Sequence, residues 1–231
     1  MLTRHAWGSC HFRRPMLDHL VLYLWYRPDC PVTADHLARL RAIEGPGRVL
    51  PLDVSGRPGA IDLGPYATED RWQGPDAAVY RWARSRDFVP ARRYLVVEWD
   101  TLATMPLRDW WGDACYEADL GVVRVATLGD GWTWWEHRSR LPGPVQPHAA
   151  GFCPYGGHVL SRRALTALAE SDPVPGVFCE LRAASYLGAA GITATVRPGG
   201  RKRTVWIGDT RLPSHRGPGV WHPVKGPVAW A

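Results

Sequence analysis

The segment from Leu17 to Leu52 constrains this chain most, because it reads as strand, helix and strand within about 35 residues. Leu17 to Tyr26 is largely apolar, with Asp18 and His19 near its start, as a core strand requires. Thr33 is placed as the N-cap of a helix over Ala34 to Ile43, in which Leu37, Leu40 and Ile43 share one face. Gly45-Pro46-Gly47 stops that helix, and Arg48 to Leu52 returns as a second strand. Strands joined this way run parallel through a right-handed crossover. The expected fold class is therefore α/β: a mixed, mostly parallel central sheet flanked by helices, in a single domain. Residues 1–16 read as a basic, aperiodic tail, and the domain spans 17–225, divided into halves 17–113 and 114–225.

Tyr94-Leu95-Val96-Val97 has the apolar, β-branched character of a buried parallel strand and ends abruptly in Glu98-Trp99-Asp100. Two acids at i and i+2, at the C-terminal tip of a buried strand, aim into the crevice where open α/β sheets bind ligands. Pro106 is read as a stop, and Pro106 to Trp111 as support for the strand tip. Ser55 to Gly74 is rich in Gly and Pro and is assigned to a surface loop, Asp76 to Arg86 to a helix, and Asp119 to Thr127 to a strand. Gly151 to Leu160 reads as loop then strand. Ser161 caps a helix through Glu170, and a second helix runs from Cys179 to Ala190. Ile192 to Val196 is a late strand. A basic, Gly/Pro-rich tail from Pro198 closes on Trp221-His222-Pro223-Val224-Lys225.

The net charge of +6 favours an anionic partner, phosphates or nucleic acid. Five scattered cysteines without a C-x-x-C pair argue against a disulfide framework or structural zinc. Thirteen tryptophans suit core packing first and ring stacking second, including Trp132, Trp134 and Trp135. Arg4, Arg13 and Arg14 ahead of Leu20 imitate a signal peptide, but Asp18 and His19 interrupt the run and no small-residue cleavage site follows. The expected location is cytoplasmic, with peripheral membrane association at most.

Carboxylates at Glu98 and Asp100 suit Mn²⁺ or Mg²⁺, hard cations that a pyrophosphate can share. The simpler alternative has Asp100 capping the turn and Glu98 solvated. Glu180 heads an apolar helix, where the helix dipole alone favours an acid, or where a general base could stand. His222, between Trp221 and Pro223, is a candidate metal ligand, with His215 a weaker rival. Lys225, with Arg201, Lys202 and Arg203, could neutralise phosphate. Gly156-Gly157 allows close backbone approach to a ligand or a tight turn. No Walker loop or G-x-G-x-x-G is present.

In order, these pieces resemble glycosyltransferases of the GT-A fold. The likeness rests on Tyr-Leu-Val-Val-Glu-Trp-Asp-Thr, on Gly-Gly-His-Val-Leu-Ser-Arg-Arg-Ala-Leu, on Glu180 and on His222, and it spans Leu17 to Lys225. The resemblance implies a nucleoside-diphosphate sugar as donor, contacted by Glu98, Trp99, Asp100, Gly156, Gly157 and Lys225. It implies Mn²⁺ or Mg²⁺ held by Asp100 and His222, Glu180 as catalytic base, and an acceptor hydroxyl on a glycan, a lipid-linked or a small molecule. Two positions depart from the family pattern: Glu98 replaces the commoner aspartate, and Cys179 stands where another acid is frequent. The loops around Gly56 to Gly74 and Pro198 to Gly219 would serve as lids. Rival readings are a nucleotidyltransferase, whose glycine-rich, lysine-bearing triphosphate loop is not seen near the first strand, a non-enzymatic nucleic-acid-binding protein, and a GT-A-like protein that has lost activity. Because the basic residues are dispersed, no nucleic acid is expected as partner.

Overall fold

A computed structural model describes residues 16–25, 27, 29–55, 60–66, 74–129, 131–153, 157–199, 204–205 and 218–224. In chain order the elements are β1 (Leu17–Trp25), α1 (Pro31–Glu44), β2 (Val49–Asp53), α2 (Asp76–Ala83), β3 (Ala91–Glu98) and β4 (Leu102–Ala103). They continue as α3 (Leu107–Glu117), β5 (Leu120–Val122), β6 (Arg124–Ala126), β7 (Gly151–Cys153), β8 (His158–Ser161) and α4 (Arg162–Ser171). The last are α5 (Cys179–Ala189), β9 (Ala194–Val196), β10 (Thr204–Val205) and β11 (Val220–Trp221).

The central sheet has six strands in the order β2-β1-β3-β8-β5-β9. β1 pairs in parallel with both β2 and β3, and β5 with β9, while β8 is antiparallel to both of its neighbours. This is the mixed, mostly parallel α/β sheet that the opening strand–helix–strand unit predicts. Its centre is buried on both faces, so Leu20 to Leu24 and Tyr94 to Val97 belong to one core and tolerate no polar alternation. Helices α2, α4 and α5 pack together over the face that carries Leu24, Val96 and His158. Helices α1 and α3 cover the other, where Tyr23 reaches Thr33 and His19 meets Tyr116. Two small sheets, β10-β11-β4 and β6-β7, complete the fold. Among the described residues no helix is long and apolar enough to cross a membrane.

Four local expectations need correction. Helix α1 starts at Pro31 with Cys30 at the N-cap, because proline is preorganised for the first helical turn. Thr33 lies inside that turn and donates its hydroxyl to the Arg27 carbonyl at 2.9 Å. Pro106 does not end structure; it stands at the N-cap of α3, whose first amide, Leu107 N–H, donates to the buried Glu44 carboxylate at 2.6 Å. The strand expected over Asp119 to Thr127 divides at Val123 into β5 and β6, which enter different sheets. At Gly121 a Cβ would stand 2.6 Å from the Cys115 carbonyl, so α3 packs onto β5 only over a glycine. Finally, the assigned surface loop carries a core anchor. Tyr66 is 3% exposed and donates its hydroxyl to the Pro173 carbonyl.

The tryptophans divide as their chemistry suggests. Trp82, Trp99, Trp110, Trp111 and Trp221 are buried, whereas Trp132 and Trp135 are half-buried against the core. Cys30, Cys115 and Cys179 are free thiols. The basic tail before Met16, including Cys10, lies outside the described residues.

Candidate metal centre and active site

β3 delivers its last residue, Glu98, to the C-terminal edge of the sheet. The chain then turns through Trp99 and Asp100, and Thr101 N–H donates back to the Glu98 carbonyl at 3.0 Å. Asp100 is only 3% exposed, a costly place for a carboxylate without a cationic partner. That partner comes from the far end of the chain. β11 pairs antiparallel with β4, matching Val220 to Ala103 and Trp221 to Leu102. Bonds on both sides of His222 hold this register. Gly219 N–H donates to the Thr104 hydroxyl at 2.9 Å and Thr104 N–H to the Gly219 carbonyl at 3.0 Å. Beyond the histidine, Val224 N–H donates to the Asp100 carbonyl at 2.7 Å.

His222 Nε2 thereby lies 3.0 Å from Asp100 Oδ1 and 3.4 Å from Glu98 Oε2. One donor atom from each of the three residues falls within 4.8 Å of the others, a spacing compatible with a shared metal ion. Burial alone would push the imidazole down. Hydrogen bonds and charge from Asp100 and Glu98 outweigh it and push His222 up to about 10. Two carboxylate oxygens and an imidazole nitrogen fit a hard-to-borderline divalent cation such as Mn²⁺, with Mg²⁺ favouring a more oxygen-rich set. Such a cation would take the place of the imidazole proton.

Glu180 is the second residue of α5 and stands in the same pocket as Glu98. The pocket is partly open, between walls of Leu24, Pro75, Val96 and Phe152. Burial, reinforced by the Glu98 charge and opposed by His222, pushes the Glu180 carboxyl up to about 8. Gly157 forms part of the wall with φ +99°, and a Cβ there would stand 2.1 Å from the Val96 carbonyl. Its lack of a side chain serves a close approach to β3 as well as an open pocket.

The expected site residues thus fall into three groups. Glu98, Asp100 and His222 converge, and Glu180 and Gly157 line the adjoining pocket. Trp99 is buried in the core at 4% exposure, with the Arg27 guanidinium 6.0 Å from the ring centre. Gly156, Lys225, Arg201, Lys202, Arg203 and His215 lie outside the described residues, as does most of both lid segments.

Sequence reasoning missed the pair that joins α2 to α5 beneath the pocket. Arg182, fully buried, donates from Nε to Asp76 Oδ2 at 3.0 Å and from Nη2 to Asp76 Oδ1 at 2.5 Å. Its Nη1 donates to the Val174 carbonyl at 3.1 Å, and the Tyr80 hydroxyl donates to the same Asp76 carboxylate. An arginine inside the apolar run Leu181 to Ala190 was the available signal, since a charge on that face needs a buried acid. No protein-family model, curated protein or solved structure matches the chain.

Proposed function

We propose that this protein is a metal-dependent glycosyltransferase of the GT-A type, moving a sugar from a nucleoside-diphosphate donor to an acceptor hydroxyl. The observation that carries the reading is the convergence of Glu98, Asp100 and His222, 122 residues beyond Asp100, at the C-terminal tip of a central parallel strand. Glu180 heads a helix in the adjoining pocket, as that chemistry needs.

In this reading Asp100 and His222 hold Mn²⁺ or Mg²⁺, and Glu98 completes the set. The bound cation supplies charge stabilisation for the departing diphosphate. Glu180 accepts the acceptor's proton, and its burial raises the proton affinity of the carboxyl, as a general base requires. The apolar walls around Leu24, Val96 and Phe152 restrict water beside the reacting carbon, limiting donor hydrolysis.

A thermal-shift panel of UDP-, GDP- and other nucleotide sugars, with and without Mn²⁺, tests the reading directly. The expected result is stabilisation by one donor that requires the metal, with release of the nucleoside diphosphate on adding acceptor. Asp100→Ala should abolish metal-dependent transfer while keeping the circular-dichroism spectrum. Unchanged turnover in that variant removes the reading.

A further inference from the structure

The three carbonyls of the acid-bearing turn are each held by a different part of the chain. Glu98 C=O accepts from Thr101 N–H, and Asp100 C=O accepts from Val224 N–H. The carbonyl between them, on Trp99, is approached by the Tyr23 hydroxyl of β1 at 2.7 Å and by His36 Nδ1 of α1 at 3.2 Å. Both side chains are buried, Tyr23 at 0% and His36 at 2% exposure.

A carbonyl oxygen only accepts, so His36 must carry its proton on Nδ1. Burial pushes this imidazole below its ordinary value, and among the described residues its Nε2 has no hydrogen-bond partner. Tyr23 has one proton and two carbonyls in reach, Trp99 at 2.7 Å and Thr33 at 3.0 Å. Sharing that proton leaves the Trp99 carbonyl dependent on the second donor. The plane of the Trp99–Asp100 peptide decides where the Asp100 side chain leaves the backbone, and these two donors act on its carbonyl.

We infer that His36, assisted by Tyr23, is a positioning residue that clamps the Trp99 carbonyl and so aims Asp100 at His222 and the metal. The inference rests on the metal-site reading above. It assigns α1 a role in the site that its sequence, Ala-Asp-His-Leu-Ala-Arg, does not announce.

The test compares His36→Leu, His36→Gln and His36→Asn in the full chain. Asparagine places an N–H close to Nδ1, whereas glutamine places its amide near Nε2. Free Mn²⁺ is followed by electron paramagnetic resonance. Exchange of the Thr101 amide is followed by NMR in chelated protein. Leucine and glutamine should each weaken Mn²⁺ binding about tenfold, the usual scale for groups that orient metal ligands. Both should speed Thr101 exchange, while asparagine stays near wild type on both readouts. Equal affinity and equal exchange in His36→Leu and wild type overturn the inference. If leucine and asparagine weaken binding equally, His36 fills space only, and the inference also falls. A wild-type protein that takes up no Mn²⁺ removes the metal reading instead. The Thr101 exchange rates then decide the clamp alone: faster exchange in His36→Leu sustains it, and unchanged exchange overturns it. Should leucine at 36 prevent folding, Tyr23→Phe removes the other donor without changing the packing, and the same two readouts apply.

Discussion

Replacing Thr104 by valine removes one hydroxyl from the segment that carries His222 and leaves the shape almost unchanged. That hydroxyl accepts from Gly219 N–H at 2.9 Å and lies 3.1 Å from the Gly219 carbonyl. The carbonyl keeps Thr104 N–H as a donor, but the amide loses its acceptor in a buried position. An orphaned buried amide costs about 1–3 kcal/mol, so about 2 kcal/mol is expected here. The segment is also held by the two ladder pairs of β4 with β11, by Thr104 N–H on the Gly219 carbonyl, by the bond from Val224 to Asp100 and by the contacts of His222 with Asp100 and Glu98. At 1.4 kcal/mol per decade, the ratio of seated to released C-terminal segment falls roughly thirtyfold. Mn²⁺ affinity falls by up to that factor, according to how far the released form becomes populated. Hydrogen exchange at Val224, beyond His222 from the mutation, reads the opening directly, and Mn²⁺ titration reads its consequence. Thr104→Ser keeps the hydroxyl and should behave as wild type. If Thr104→Val leaves both the Val224 exchange rate and the Mn²⁺ affinity unchanged, this segment is not seated by the bonds described, and the account of how His222 reaches the site is wrong.

Glu180→Gln should lower kcat by about 10²–10⁴ with donor KM within a few-fold, which steady-state kinetics on the identified donor will show; a normal kcat places the base elsewhere. Arg182→Met leaves the Asp76 carboxylate buried without its guanidinium and should cost about 3–5 kcal/mol in urea unfolding, whereas Asp76→Leu/Arg182→Met together should cost less than the single change. A loss under ~1 kcal/mol for Arg182→Met would show that water reaches the pair. In chelated protein, two site groups with raised folded values dominate above neutral pH. His222, at about 10 against an ordinary 6.5, contributes stability that is complete below 6.5 and is lost as pH rises toward 10. Glu180, at about 8 against 4.5, acts in the same direction, because the folded state favours its protonated form. The buried histidines His36, His137 and His158, whose folded values are lowered, act in the opposite direction below about pH 7, so the urea midpoint of metal-free protein should fall from about pH 7 to about pH 9; a midpoint that climbs over this range contradicts the assigned environments.

What was legible in the sequence is what depends on neighbours in the chain. The β1–α1–β2 unit, the β3 tip and α4 are written in apolar period and caps. Ser161 does accept the Ala164 amide at 3.1 Å, as its position predicts. Helix α3 was not legible, because a proline before a helix and a proline that ends one look alike. Its sequence also contains Gly112 at φ 69° and ψ 159°, which breaks the helical period between Trp111 and Asp113. Its first amide is satisfied by Glu44, 63 residues away, which also pairs with His19 at 3.0 Å, and no local rule points to either. Likewise Asp76 and Arg182 are 106 residues apart. His222 was suggested by motif order, but its position follows from the Thr104–Gly219 bonds, which span 115 residues.

These long-range bonds explain why a short acid-x-acid turn can carry a site at all. A four-residue turn with loose carbonyls would let Asp100 sample several directions, and a metal would bear the entropy of selecting one. Here the Glu98 carbonyl is closed by the turn itself, the Trp99 carbonyl is held from β1 and α1, and the Asp100 carbonyl is held from the C-terminal segment. Any single support restrains one peptide plane; together they fix the direction of both acids before a ligand arrives, which is the condition for tight binding without reorganisation. The glutamate at 98 fits this frame. Its longer side chain reaches back from the strand end to within 3.4 Å of His222, spanning from β3 a gap that a rigid turn leaves open. Shortening it should therefore matter more than in a mobile turn: Glu98→Asp should weaken Mn²⁺ binding, and affinity equal to wild type would show that Glu98 stands outside the metal's reach.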